Sequence, residues 1–108
     1  MIDWTRVAQL RDEIGAEDFE EILDIFLEEV DAEIANLYSG CSASQLETLL
    51  HFLKGSALNL GFEAFSKLCQ EGELQLAKGS RADLDLDAIS DSYANSKTLF
   101  LDQLEYRL

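Results

Sequence analysis

The sequence predicts an all-α protein, an antiparallel up-and-down four-helix bundle with an additional short N-terminal helix. Three observations predict it. The 108 residues include no proline, so nothing in the chain forbids long uninterrupted helices. Apolar residues recur at i, i+3, i+4 and i+7 in one segment after another, which is the period of a helix with one buried face. The breaks between these segments are short and polar, so successive helices must turn back on one another. A chain of this length makes one ordinary domain and can bury a core without metal or disulfide staples. Residues 1–108 are therefore expected to form a single domain, and a chain that begins with Met and ends in a helix is expected to be whole.

Each element has its own signal. Asp3 before WTRVAQL reads as an N-cap, with Trp4, Val7, Leu10 and Ile14 at helical spacing and Gly15 as the stop. From Glu17 to about Tyr38 the residues Phe19, Ile22, Leu23, Phe26, Val30, Ile34 and Leu37 make the strongest amphipathic stripe in the chain, with acids on the other face. SGCSAS breaks it, and Ser44 with Glu47 reads as an S-x-x-E capping box opening a third helix. That helix carries Leu46, Leu49, Leu50, Leu53, Ala57 and Leu60 on one stripe and stops at Gly61. A fourth runs from about Glu63 to Lys78 with Phe65, Leu68, Cys69, Gly72 and Leu76 facing inward. SRADLDLD reads as a polar loop, and a last helix starts near Asp87 with Ile89, Tyr93, Phe100, Leu104 and Leu108 at helical spacing.

Charge narrows the function classes. Eight Lys and Arg stand against 22 Asp and Glu, a formal net charge of -14, and the sequence holds no basic patch. Such a surface repels phosphate backbones and anionic headgroups, so neither nucleic acid nor a membrane surface is an expected partner. The N-terminus has scattered charges and no apolar run, hence no signal peptide, and no segment reaches the ~20 apolar residues of a membrane span. Cys41 and Cys69 are accordingly expected as free thiols in the cytoplasm, Cys69 in the core.

The stretch HFLKGSALNLG, residues 51–61, holds the only histidine. At about 100° per residue, Leu50, Leu53 and Ala57 lie within roughly 40° of the direction of Leu46, and His51 lies roughly 140° away. The imidazole thus points outward, on a face shared with Lys54, Gly55 and Leu58. Lys54, one turn on, places a cation where an anion attached to the ring would sit. Gly55 costs the helix about 1 kcal/mol against alanine, and the simplest gain is room for another molecule to approach the ring. An exposed imidazole, a nearby cation and an apolar landing surface at Leu58 suit nucleophilic attack on a phosphoryl group, a reaction that is mostly positioning and charge neutralisation.

These residues resemble a known signature. His51-Phe52-Leu53-Lys54-Gly55-Ser56-Ala57, followed by Leu60-Gly61, Phe65 and Cys69, is similar to the motif of histidine-containing phosphotransfer (HPt) domains, the relay modules of multistep two-component signalling. Phe26-Leu27-Glu28-Glu29 and the helix order extend the resemblance over nearly the whole chain. It implies a four-helix bundle with an extra N-terminal helix, in which His51 accepts a phosphoryl group from a receiver-domain aspartyl phosphate and relays it to another receiver. Lys54 would neutralise phosphoryl oxygens and Gly55 would keep the approach open. Glu73 falls where the family often has Gln or Glu, able to hold the ring through its other nitrogen, although its side-chain direction is open and it could equally be one more solvated acid. The implied partners are receiver domains of response regulators and of hybrid histidine kinases. The implied protein is a monomeric phosphoryl carrier rather than an enzyme, without a cofactor of its own, since the Mg belongs to the partner receiver domain. Docking would rest on apolar contacts around His51, with Lys54 and Lys67 as local positive spots. The chain departs from the family pattern at Leu50, where alanine is common, and at Gly72, where leucine is common; the first would alter core packing, the second would weaken the fourth helix or allow a closer helix contact.

Three other readings compete. An enzyme with its own cycle would need a phosphate cradle or a catalytic pair, and the sequence has neither. A di-iron bundle needs two Glu-x-x-His motifs, which one histidine cannot supply. A catalytically silent HPt-like module that binds a receiver or kinase without transfer stays open, with the intact His51, Lys54 and Gly55 against it.

Overall fold

The structure, a computed structural model, describes residues 2–40, 42–79 and 84–107. Five helices follow one another among these residues: α1 (Trp4–Ile14), α2 (Phe19–Asn36), α3 (Ala43–Leu60), α4 (Glu63–Ala77) and α5 (Leu86–Arg107). The all-α bundle with an extra N-terminal helix is as expected. The apolar stripes of α2 to α5 converge on one core, in which Leu46, Leu50, Leu53, Leu60, Phe62, Phe65 and Phe100 are at most 1% exposed. Each such side chain stabilises the fold by about 1.5–3 kcal/mol relative to exposure. Every residue of the expected α3 stripe is buried.

Two boundaries differ from the sequence reading, for local reasons. The capping box of α3 is Ser42 with Gln45, not Ser44 with Glu47: Ser42 Oγ accepts from Gln45 N at 3.2 Å, and Ser42 N donates to Gln45 Oε1 at 2.8 Å. An S-x-x-Q pair satisfies the same two orphan donors as S-x-x-E. Because it comes first in the chain, Ser44 is already inside the helix, where its carbonyl accepts from Thr48 Oγ1 at 3.2 Å. The expected span of α2 is trimmed at both ends. Beyond Asn36 the backbone tightens into i→i+3 bonds, Leu37 N to Ile34 O at 3.2 Å and Tyr38 N to Ala35 O at 3.3 Å. The last helix begins at Leu86, with Asp85 Oδ1 accepting from Ala88 N at 3.0 Å. Cys41, residues 80–83 of the expected polar loop, and Leu108 lie outside the described residues.

The turn between α3 and α4 is where α1 is tied down. Gly61 ends α3 at φ +74°, and a Cβ there would come within 2.5 Å of the Asp3 carbonyl oxygen, so both its conformation and its contact demand glycine. Asp3 N donates to Gly61 O at 2.7 Å, Ile2 and Phe62 form an isolated antiparallel bridge, and Asp3 Oδ1 caps α1 by accepting from Arg6 N at 3.2 Å. Phe62 enters an aromatic cluster with Phe100 (5.4 Å) and Tyr93 (6.2 Å), and Trp4 of α1 stacks on Phe100 at 5.5 Å. α1 thereby covers one end of the bundle.

On the far side, α5 is fastened to α2 by polar ties. Tyr93 OH donates to Asp31 Oδ1 at 2.7 Å, Lys97 Nζ lies 2.8 Å from Asp31 Oδ2, and Tyr38 OH donates to Asp87 Oδ1 at 2.7 Å. Burial, then the hydrogen bond to Asp31 and its charge, pushes the Tyr93 phenol well above its ordinary pKa. The folded state therefore keeps Tyr93 neutral at pH values where the unfolded chain releases the proton. Stability from this group is complete below about pH 10 and is lost as pH rises above it. Urea unfolding at pH 8 and pH 11 should show Tyr93→Phe to be less stable by about 1 kcal/mol at pH 8 and to lose less stability than wild type on going to pH 11. Parallel losses in the two proteins would contradict the neutral buried phenol.

Candidate functional site

The stripe that buries α3 determines what its other side presents. With Leu46, Leu50, Leu53 and Ala57 locked into the core, Ser44, His51, Gly55 and Leu58 are left outward. The His51 side chain is 72% exposed. Two large apolar side chains are exposed on the same helix, Leu58 on the face of His51 at 57% exposure and Phe52, about 100° round from it, at 43%. A Cβ at Gly55 would meet nothing within 4 Å, so this glycine does not serve helix packing. Its missing side chain leaves open space one turn from the imidazole.

The fourth helix supplies the group that sequence could not orient. Glu73, 18% exposed, turns toward α3 and divides its carboxylate between two residues there: Oε2 lies 3.4 Å from His51 Nδ1, and Oε1 lies 3.3 Å from Lys54 Nζ. Glu73 is thereby placed beside the imidazole. A carboxylate only accepts, so the facing ring nitrogen is assigned as Nδ1–H and the lone pair falls on Nε2, directed outward. Oε1 is itself buried and has no aligned hydrogen bond. Its attraction to Lys54, 25% exposed, is one of charge at short range. Beneath this cluster the buried Cys69 thiol is pushed up to about 12, by burial first and by Glu73 second, with Lys54 opposing. It stays a neutral packing group, as expected of a core cysteine.

His51, Lys54 and Glu73 are thus brought together, and Gly55 stands beside them without contact. Lys67 is exposed on α4. Sequence reasoning missed a shallow cleft of about 300 Å³ next to the imidazole, lined by Ser44, Glu47, Thr48, His51 and Glu73. The signal lies in the sequence, since Glu47 precedes His51 by four residues, but the S-x-x-E spacing of Ser44 and Glu47 also reads as a cap. Leu50 and Gly72, separate departures in the sequence, meet in the structure. A Cβ added at Gly72 would lie 2.8 Å from Leu50 Cδ1 and 3.1 Å from Leu84 Cδ1, so the glycine permits a closer helix contact. Among the described residues no cluster of three His, Cys, Asp or Glu side chains could hold a metal ion, and no helix is long and apolar enough to cross a membrane.

The family model of the Hpt domain matches residues 21–106. The chain belongs to the Hpt domain family. The match runs from within α2 to the end of α5 and contains all four residues singled out above, while α1 precedes it. No significant match was found among curated proteins or solved structures. As an Hpt domain the protein is a component of two-component phosphorelay signalling, and its helical bundle is the fold that the resemblance implied.

Because nothing packs where a Gly55 side chain would be, Gly55→Ala should stabilise the domain by up to about 1 kcal/mol through helix propensity alone. Urea unfolding followed by circular dichroism measures it. A loss of stability would show that the glycine serves the fold after all.

Proposed function

We propose that this Hpt domain is a phosphoryl carrier in which His51 Nε2 accepts a phosphoryl group from a receiver-domain aspartyl phosphate and passes it to the aspartate of another receiver. The observation that carries this reading is the exposed imidazole whose Nδ1 faces the Glu73 carboxylate, leaving Nε2 outward beside the open flank of Gly55. In the forward step the Nε2 lone pair attacks phosphorus as the P–O bond to the donor aspartate breaks, and that aspartate leaves as a carboxylate. The return step breaks the P–N bond in favour of the second receiver's aspartate. Glu73 holds the Nδ1 proton and stabilises the positive ring that forms as Nε2 bonds to phosphorus. Lys54, 3.3 Å from Glu73, stands where its ammonium can turn to the phosphoryl oxygens.

The partners under this reading are receiver domains of response regulators and of hybrid kinases, which bring the Mg that the transfer uses; the carrier works as a cytoplasmic monomer over its single domain, without a kinase site of its own. Phe52 and Leu58 supply apolar contact around the acceptor, which on so acidic a protein has to provide most of the docking energy.

Incubation with a phosphorylated receiver domain should move radiolabel to the wild-type protein as an acid-labile, alkali-stable adduct and leave a His51→Gln variant unlabelled. Label on that variant would sink the assignment; binding of the receiver without label on wild type would mark a silent interaction module instead. Gly55→Gln should keep the helical circular dichroism of wild type and slow transfer about tenfold or more, since bulk now fills the approach. Lys54→Ala should transfer at a rate reduced about tenfold, and an unchanged rate in quench-flow would show the lysine to be a bystander.

A further inference from the structure

Two residues that take no part in the chemistry stand directly behind it. Leu50 immediately precedes His51 on α3, and Gly72 immediately precedes Glu73 on α4. Leu50 is 0% exposed and presses its Cδ1 into the gap that the missing side chain of Gly72 leaves; a Cβ at that glycine would lie 2.8 Å from it. Leu84 Cδ1 and Ile89 Cδ1 close the gap from the side of α5, at 3.1 and 3.6 Å from the same point. A methyl group added there must displace the Leu50 and Leu84 side-chain ends or part the two helices, and Leu50, fully buried, has no solvent to turn into, so part of the strain falls on the helix separation. At this level the two helices also carry the paired groups of the site: His51 Nδ1 and Glu73 Oε2 meet at 3.4 Å, already near the outer limit of a hydrogen bond. A separation of a few tenths of an ångström would take that contact out of hydrogen-bond range.

We propose that Leu50 and Gly72 are positioning residues for the acceptor histidine: the leucine seated in the glycine gap sets the α3–α4 separation at which Glu73 holds the His51 ring in its Nδ1–H tautomer. The inference rests on the proposed phosphoryl acceptance at His51 for its effect on rate, but not for its effect on the tautomer.

The test combines long-range ¹⁵N–¹H spectra of His51 with transfer kinetics from one phosphorylated receiver domain. Wild type is expected to show the Nδ1–H tautomer predominantly. Gly72→Ala, and separately Leu50→Phe, which enlarges the knob from the opposite helix, should shift His51 toward a tautomer mixture and lower the rate at saturating receiver about tenfold. The receiver concentration for half-maximal rate should stay within about twofold, because Phe52 and Leu58 are untouched. Adding Leu50→Ala to Gly72→Ala makes room for the methyl and should restore both tautomer and rate, and Gly72→Ala should have no further effect on rate once Glu73→Ala is present. A folded Gly72→Ala or Leu50→Phe variant with the wild-type tautomer and rate overturns the proposal. If wild type takes no label from any receiver, the phosphotransfer reading fails by itself, and the tautomer spectra still decide the spacing.

Discussion

The antiparallel packing of α3 against α4 is the contact on which the rest of the molecule depends. It is the most extensive helix pairing in the fold, and its geometry is set at two points. At one end Gly61 reverses the chain in the left-handed conformation, with Phe62 immediately buried. Part-way along, Leu50 seats against Gly72. Between them these contacts decide the depth at which α4 lies on α3, and hence which side chains can reach across. A bundle interior is close-packed, so a change of one methyl group at such a point is felt by its neighbours.

The same pairing explains how a protein with a net charge of -14 keeps a cation beside its only imidazole. Lys54 is held at short range by Glu73, and the carboxylate oxygen it faces has no other partner. Other cations are likewise drawn into structure: Lys97 to Asp31, Arg6 to Glu13, and Arg107 over the Trp4 ring. Around His51 the surface then holds the exposed apolar Leu58 and Phe52 and a Lys54 ammonium paired with Glu73, with Glu47 at its edge. In an otherwise acidic protein such a surface admits a partner that shares its sign of charge, provided that apolar contact outweighs the long-range repulsion.

Much of this was legible in the chain. Helix period placed Leu46, Leu50, Leu53 and Ala57 in the core and, by subtraction, turned His51 outward; both follow from geometry internal to one helix. The caps at Asp3 and Gly61 were readable because their chemistry lies within a few residues. The α3 cap was misplaced because two serines, each three residues before a Gln or a Glu, satisfy the same rule, and only the backbone of Ser42, extended before the helix begins, distinguishes them. Glu73 was named from a resemblance and could not be oriented, since reaching His51 depends on the separation of two helices rather than on spacing within one.

The sequence by itself therefore determined the five helices, the face of α3 that meets solvent, and the company of Lys54 and Gly55 on that face, because a helix repeats the same rotation at every residue. Tertiary structure alone decided that Glu73 shares its carboxylate between His51 and Lys54, that Leu50 and Gly72 are one contact, and that Gly55 faces open space while Gly61 and Gly72 are hemmed in. Those outcomes turn on the distances between helices. Such distances belong to the packed whole, since each side chain's position is set by neighbours far away in the chain. HFLKGSALNLG specifies an outward histidine; the packing of α4 specifies which of its nitrogens is free.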